Sequence, residues 1–178
     1  SEASEFLRNE LIESILLRSI SDVGYSSSLS GGVDSSIVAS VSSRYRGKIS
    51  SFSLIGNEKR WDESADIEVI SKFINSDHHN VVYDDNLNGK AIVDMVLQND
   101  EPVHNPSVVG QNIIYKFMND NGVKVSLDGQ GGDELFAGYD YLVKAYYFSI
   151  LKRKQILTNI SDLIGLLKNR PSLFRQYF

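Results

Sequence analysis

Twice in this chain a short strand-like run ends in a cluster of glycines and acids and hands over to a helical pattern. The first cluster is Ser28-Leu29-Ser30-Gly31-Gly32-Val33-Asp34-Ser35-Ser36, and the second is Asp128-Gly129-Gln130-Gly131-Gly132-Asp133-Glu134. A strand that turns on glycine straight into a helix begins a crossover, and crossovers join parallel strands. That restricts the chain to α/β architectures with helices covering both faces of a mostly parallel, open sheet. Ligands of such sheets bind at the carboxyl ends of the strands, where the strand order reverses. If the strands before the two clusters are neighbours, both clusters belong to that end of the sheet.

The rest of the pattern agrees. Leu7, Leu11 and Ile15, with Ile12 and Leu16, recur at helical spacing over 4–20. A strand is expected over 23–29, a helix over 34–45, a strand from Ile49 to Ile55 and a helix over 62–75. A weaker strand follows at 79–83, then helices at 87–98 and 108–121, a strand from Val123 to Leu127, and a helix over 134–150. After Tyr147 the periodicity fades; 160–167 reads as a short helix and Lys152-Arg153-Lys154 as a solvated face. The whole of 1–178 reads as one domain, and a chain of 178 residues is long enough to bury a core.

Composition narrows the partners. The net charge of −5 leaves no basic surplus for neutralising nucleic-acid phosphates. With no cysteine there is no disulfide framework, thiolate metal site or cysteine nucleophile within these residues. No apolar run reaches the ~20 residues of a membrane span, and there is no signal-like start, so no membrane partner is expected and the cytoplasm is the default.

The first cluster is a phosphate cradle without lysine or arginine. Glycines bring backbone N–H groups close to an anion, the following helix points its amino end at the same place, and Ser30, Ser35 and Ser36 add hydroxyls. It is not a Walker A loop, because no G-x-x-x-x-G-K-[ST] occurs. Asp34 is a poor neighbour for phosphate unless a cation intervenes, and magnesium, which takes a carboxylate plus phosphate oxygens, resolves the conflict. The competing reading makes Ser30-Gly31-Gly32 a plain turn and Asp34 a helix cap.

Ser30-Gly31-Gly32-Val33-Asp34-Ser35 resembles the S-G-G-x-D-S loop of the PP-loop ATP pyrophosphatases. Phe52-Ser53-Leu54 with Trp61-Asp62-Glu63-Ser64-Ala65, Asp100-Glu101-Pro102, and the run from Leu127 to Tyr139 resemble, in order and spacing, segments of the asparagine synthetase family. The similarity covers about residues 5–145. Each segment also has a plainer reading: acid at a helix start for Asp62-Glu63, a helix exit for Asp100-Glu101-Pro102, a strand-to-helix turn for 128–134.

The resemblance implies ATP and Mg²⁺ as cofactors. By position it makes Asp34 and Asp133 magnesium ligands and puts them, with Gln130, in the catalytic centre. Ser30, Gly31, Gly32 and Ser35, with Ser36 beside them, would hold pyrophosphate. Leu29 and Leu54 would flank adenine through backbone groups, and Gly129 would approach AMP. Glu134 is either a supporting carboxylate or the first-turn acid of its helix. Tyr139 and the aromatics after it read as packing, and His78 and His79 as structural, since His104 is the only other histidine.

The implied reaction is AMP-forming: a substrate carboxylate, that of aspartate or an analogue, attacks the α-phosphorus, and ammonia then attacks the acyl-adenylate. The family's amino-terminal glutaminase domain and the later part of its synthetase domain are not found here, so ammonia is expected directly or from a separate glutaminase domain or subunit. Gln130 stands where the family commonly has Glu, and an amide cannot serve as a base. Asp128 stands where serine is usual, without an evident reason. The alternatives are another PP-loop ligase of the NAD-synthetase type, against which the 61–65 and 123–139 segments argue, and a nucleotide-binding fragment without full activity.

Overall fold

In the computed structural model, residues 2–56, 63–82, 88–102, 107–136, 138–152 and 164 are described. The chain runs α1 (Glu2–Arg18), β1 (Tyr25–Ser28), α2 (Val33–Arg46), β2 (Ser50–Ile55), α3 (Ser64–Phe73), β3 (Asp77–Val82), α4 (Asn88–Asn99), α5 (Ser107–Asp120), β4 (Val125–Ser126), α6 (Gly132–Phe136) and α7 (Asp140–Lys152). The four strands form one sheet in the order β3-β2-β1-β4. Every pairing is parallel, with Ser26 opposite Ser50 on one side and Ser126 on the other.

The order reverses between β1 and β4. The chain steps from β1 to β2 to β3 in one direction, then returns past its starting strand to place β4. Right-handed crossovers in opposite directions put the intervening helices on opposite faces. The side chains agree: Leu29, Ala39, Ile49 and Ile74 form a core with Tyr25 and Ile70 on the α2 and α3 side. On the other face Phe52 meets Phe117 of α5 edge-to-face at 6.0 Å.

Because both faces are covered, alternate residues of the central strands are buried alike. Here many of them are serine: Ser26, Ser27, Ser51 and Ser53 are each fully buried. Buried hydroxyls need partners. Ser27 Oγ donates to the Leu127 carbonyl at 2.7 Å, Ser53 Oγ to that of Leu29 at 2.5 Å, and Ser51 Oγ lies 2.8 Å from both Ser76 Oγ and His78 Nδ1. Small side chains let the helices close on the sheet, and Phe52, 1% exposed, supplies the bulk.

The elements expected up to residue 150 are present, with shifted bounds. The third strand starts at Asp77, two residues earlier than expected, because its register against β2 runs unbroken from Ser50–Asp77 to Ile55–Val82. His78 and His79 therefore lie on it. His78 bridges Ser51 and Asn80 through its two ring nitrogens, both at 2.8 Å, and His79 stacks on Phe52 at 4.9 Å. The helix expected over 134–150 is two helices, α6 and α7. The break has a cause: the Gly138 N–H donates to the Asp133 carbonyl at 2.9 Å, a contact that closes α6 rather than extending it. Of the helix expected at 160–167 only Ile164 is described, and Trp61, Asp62, His104 and Lys154 lie outside the described residues.

The chain divides into two compact units, Ser1–Gly129 and Gln130–Phe178. The sheet and α1 to α5 belong to the first, and α6 and α7 to the second.

Candidate functional site

β1 ends at Ser28, and five residues later α2 begins. The loop between them is tied to the sheet and to itself. The Leu29 N–H donates to the Phe52 carbonyl at 2.8 Å, and Leu29 is buried. Ser35 Oγ accepts from the Ser30 N–H at 3.3 Å, lies 3.1 Å from Ser30 Oγ, and donates to the Gly32 carbonyl at 3.2 Å. Ser36 Oγ donates to the same carbonyl at 2.6 Å. The serine hydroxyls thus brace the loop from within, a role composition alone did not suggest.

The Gly32 N–H donates to Ser30 Oγ at 3.3 Å. Gly32 is the N-cap of α2 and supplies no side-chain cap. The first amide groups of a helix have no acceptor within it, and here they sit at the carboxyl end of the central strand. Asp34 lies in the first turn, half-buried, and is not the cap. The cap reading of Asp34 is set aside by this geometry.

Three further contacts shape the loop. Gly31 turns at a φ of 75°, and a Cβ there would lie 3.1 Å from Asp66 Cβ and 3.6 Å from Glu63 Cβ. The amino end of α3 therefore abuts the loop. Burial, reinforced by the charge of Asp66, raises the Glu63 pKa from its ordinary value. From the other side, a Cβ on Gly129 would lie 2.6 Å from the Ser35 nitrogen, so the chain leaving β4 presses on the first turn of α2. Leu54, near the end of β2, sits against α5, its Cδ2 3.0 Å from where a Cβ on Gly110 would stand.

Asp128, which no sequence pattern explains, is explained by its partners. Asp128 Oδ1 accepts from the Ser28 N–H at 2.8 Å and from Ser126 Oγ at 2.6 Å; Oδ2 accepts from the Tyr115 hydroxyl at 2.8 Å. Gln111 Nε2 donates to that hydroxyl at 2.7 Å. Burial, followed by the hydrogen bond to Asp128, pushes the Tyr115 pKa up to about 12. Gln111 and Tyr115 were not singled out from the sequence; one turn apart on α5, they carry no motif.

Leu29, Ser30, Gly31, Gly32, Asp34, Ser35, Ser36, Leu54 and Gly129 all belong to the first unit, around the carboxyl ends of β1 and β2. Gln130 and Asp133 belong to the second and are exposed. Within that unit a Cβ on Gly138 would fall 1.9 Å from Asp133 Oδ1, so the bare glycine makes room for the carboxylate. Glu134 accepts from the Tyr139 hydroxyl at 2.8 Å, and Tyr139 stacks on Tyr141 at 5.4 Å. Asp100 follows the last residue of α4 with a φ of 55°, which suits a helix exit. Among the described residues no group of three or more His, Cys, Asp or Glu is gathered to hold a metal, and no helix is long and apolar enough to cross a membrane.

A family model described as asparagine synthase matches residues 7–177. The chain belongs to the asparagine synthase family. It is 33% identical over 151 residues to asparagine synthetase [glutamine-hydrolyzing] 2 of Lotus japonicus, covering 78% of this chain and 25% of that protein. It is 30% identical over 149 residues to a putative asparagine synthetase [glutamine-hydrolyzing] 2 of Methanocaldococcus jannaschii, covering 80% and 28%. It is 28% identical over 157 residues to amidase chry2 of Gibberella zeae, covering 78% and 23%. The chain thus spans about a quarter of the length of these relatives. The parallel four-stranded sheet with helices around it is an α/β fold consistent with a PP-loop ATPase-like domain.

Proposed function

We propose that this chain is ATP-binding machinery of an AMP-forming amide ligase. It would be part of a synthetase domain of the asparagine-synthetase type. The observation that carries the reading is the β1–loop–α2 unit: an uncapped helix amino end beside the point where strand order reverses. Family membership supports the same reading.

In this proposal the backbone of Ser30, Gly31 and Gly32 and the first turn of α2, with Ser35 and Ser36 bracing it, receive the pyrophosphate portion of ATP. Leu29 and Leu54 flank the adenine, and Gly129 meets the AMP portion. Asp34 fits magnesium as a single carboxylate among phosphate donors, the arrangement magnesium favours; bound there, the ion would neutralise phosphate charge. The resemblance assigns Asp133 to the metal too, and Gln130 to the catalytic centre, where its amide can donate or accept a hydrogen bond but not act as a base.

The chemistry follows from charge. A carboxylate oxygen of the substrate, aspartate or an analogue, bonds to the α-phosphorus while the bond to the bridging oxygen breaks and pyrophosphate leaves. The carboxylate is already ionised at neutral pH, so no base is needed; alignment and charge neutralisation are. The nitrogen of ammonia then bonds to the acyl carbon, AMP departs with the acyl oxygen, and the new ammonium loses a proton. Ammonia arrives directly or from a glutaminase domain or subunit.

Carboxylate-dependent exchange of labelled pyrophosphate into ATP tests the proposal. Exchange with aspartate or another small carboxylate supports it. MgATP binding without exchange for any carboxylate would reduce the chain to a nucleotide-binding piece, and no MgATP binding would sink the reading.

A further inference from the structure

We propose that Asp128 is a positioning residue: as an anion held by Tyr115, it clamps the entry of the phosphate loop while its neighbour Gly129 braces the exit. This rests on the nucleotide reading above and concerns a position that reading leaves without a role.

The argument starts from the β1–β4 ladder. Its pairs are Tyr25–Val125 and Ser26–Ser126, and the Leu127 N–H donates to the Ser26 carbonyl at 2.9 Å. In a regular parallel ladder the Leu127 carbonyl would next accept the Ser28 N–H. Instead that carbonyl takes the Ser27 hydroxyl, and the Ser28 N–H turns to Asp128 Oδ1. The two strands part at this point, and a side-chain carboxylate continues the pairing that the backbone gives up. Ser28 is the last residue of β1, directly ahead of the loop.

The carboxylate is well suited to the task. It accepts three hydrogen bonds, from a backbone amide, a serine and a tyrosine, and all three partners are donors. Hydrogen bonds to an ionised acceptor are about twice as strong as neutral ones. Tyr115 holds Oδ2 from α5, so the clamp is anchored on a second element. A serine has one oxygen and cannot serve Ser28, Ser126 and Tyr115 together. One residue on, Gly129 abuts the Ser35 nitrogen. Two consecutive residues therefore hold the end of β1 and the first turn of α2, on either side of the loop at 29–32.

Two readouts on the same proteins test this: amide hydrogen exchange over 28–36, with β3 as internal control, and calorimetric titration with MgATP. In Asp128→Ala, exchange over 28–36 and the MgATP dissociation constant should each rise about tenfold, the size of one charge-assisted hydrogen bond, with β3 unchanged. Asp128→Asn keeps Oδ1 for Ser28 and should recover most of both, and Tyr115→Phe should fall between. A residue that only stabilised the fold would raise exchange everywhere and leave the affinity of the folded protein untouched; that pattern, or unchanged exchange over 28–36, overturns the proposal. Should Asp128→Ala fail to fold, Asp128→Asn and Tyr115→Phe give the same comparison. Wild-type protein indifferent to MgATP would instead overturn the nucleotide reading, and with it any role for the clamp in nucleotide binding, while the exchange data still decide whether the clamp exists.

Discussion

Gly129 and Ser35 lie so close that a methyl group on the glycine would stand 2.6 Å from the serine's backbone nitrogen. The obstacle is backbone, at the first turn of a helix, and cannot swing aside. Gly129→Ala should therefore push the end of β4 away from α2. We expect a loss of about 1–3 kcal/mol, as for overpacking elsewhere, read in urea unfolding, and a weaker response to MgATP. A variant as stable and as tight as wild type would show that the two segments part freely.

Gly138 makes the opposite case. The atoms that a Cβ would meet belong to the Asp133 side chain, at 1.9 Å from Oδ1, and a side chain can rotate. Gly138→Ala should leave the unfolding midpoint nearly unchanged while moving the Asp133 carboxylate. If Asp133 serves the metal, MgATP binding weakens in Gly138→Ala as it does in Asp133→Ala. Equal affinity in wild type and Gly138→Ala would argue against that role.

Asp34→Ala removes the carboxylate from the first turn of α2. The expected result is loss of the magnesium-dependent part of ATP binding, with ATP affinity in chelator little changed, because the backbone donors of the loop remain. Titration with and without Mg²⁺ measures this. Magnesium dependence that survives the substitution would place the ion elsewhere.

Tyr115 makes stability sensitive to alkali. Its hydroxyl pKa is raised from 10.0 to about 12, first by burial and then by Asp128. The fold thus favours the protonated form over the unfolded chain. That contribution is complete below pH 10 and is lost as pH rises toward 12. Urea midpoints between pH 8 and pH 12 should fall more steeply for wild type than for Tyr115→Phe; parallel curves would mean the hydroxyl is not held by Asp128.

Much of the fold was legible because it is local. Apolar positions at helical spacing marked α1 and α3, and glycine after a strand marked both loops. Even the serine-rich β1 was readable, since Ser26 and Ser27 sit between a strand-like start and Ser30-Gly31-Gly32. The bounds that moved were decided by partners distant in sequence: β3 begins at Asp77 because Ser50 pairs with it. In the site, Asp34 and the glycines were visible as a pattern. Asp128 was visible only as an oddity, because its partners lie 100 residues away at Ser28 and 13 away at Tyr115. Ser35 and Ser36 reach the Gly32 carbonyl three and four residues back, the local back-bond open to serines in a helix's first turn, which the phosphate reading of these hydroxyls passed over.

The serines at the centre of the sheet also shape how this protein responds to temperature. Unfolding a sheet centre built of Val and Ile exposes hydrocarbon and raises the heat capacity; exposing hydroxyls and peptide groups lowers it. With Ser26, Ser27, Ser51 and Ser53 at the positions most shielded from water, the heat-capacity increment should fall below the usual ~12–15 cal/mol/K per residue. The stability curve is then broad and shallow, with cold denaturation driven further below freezing.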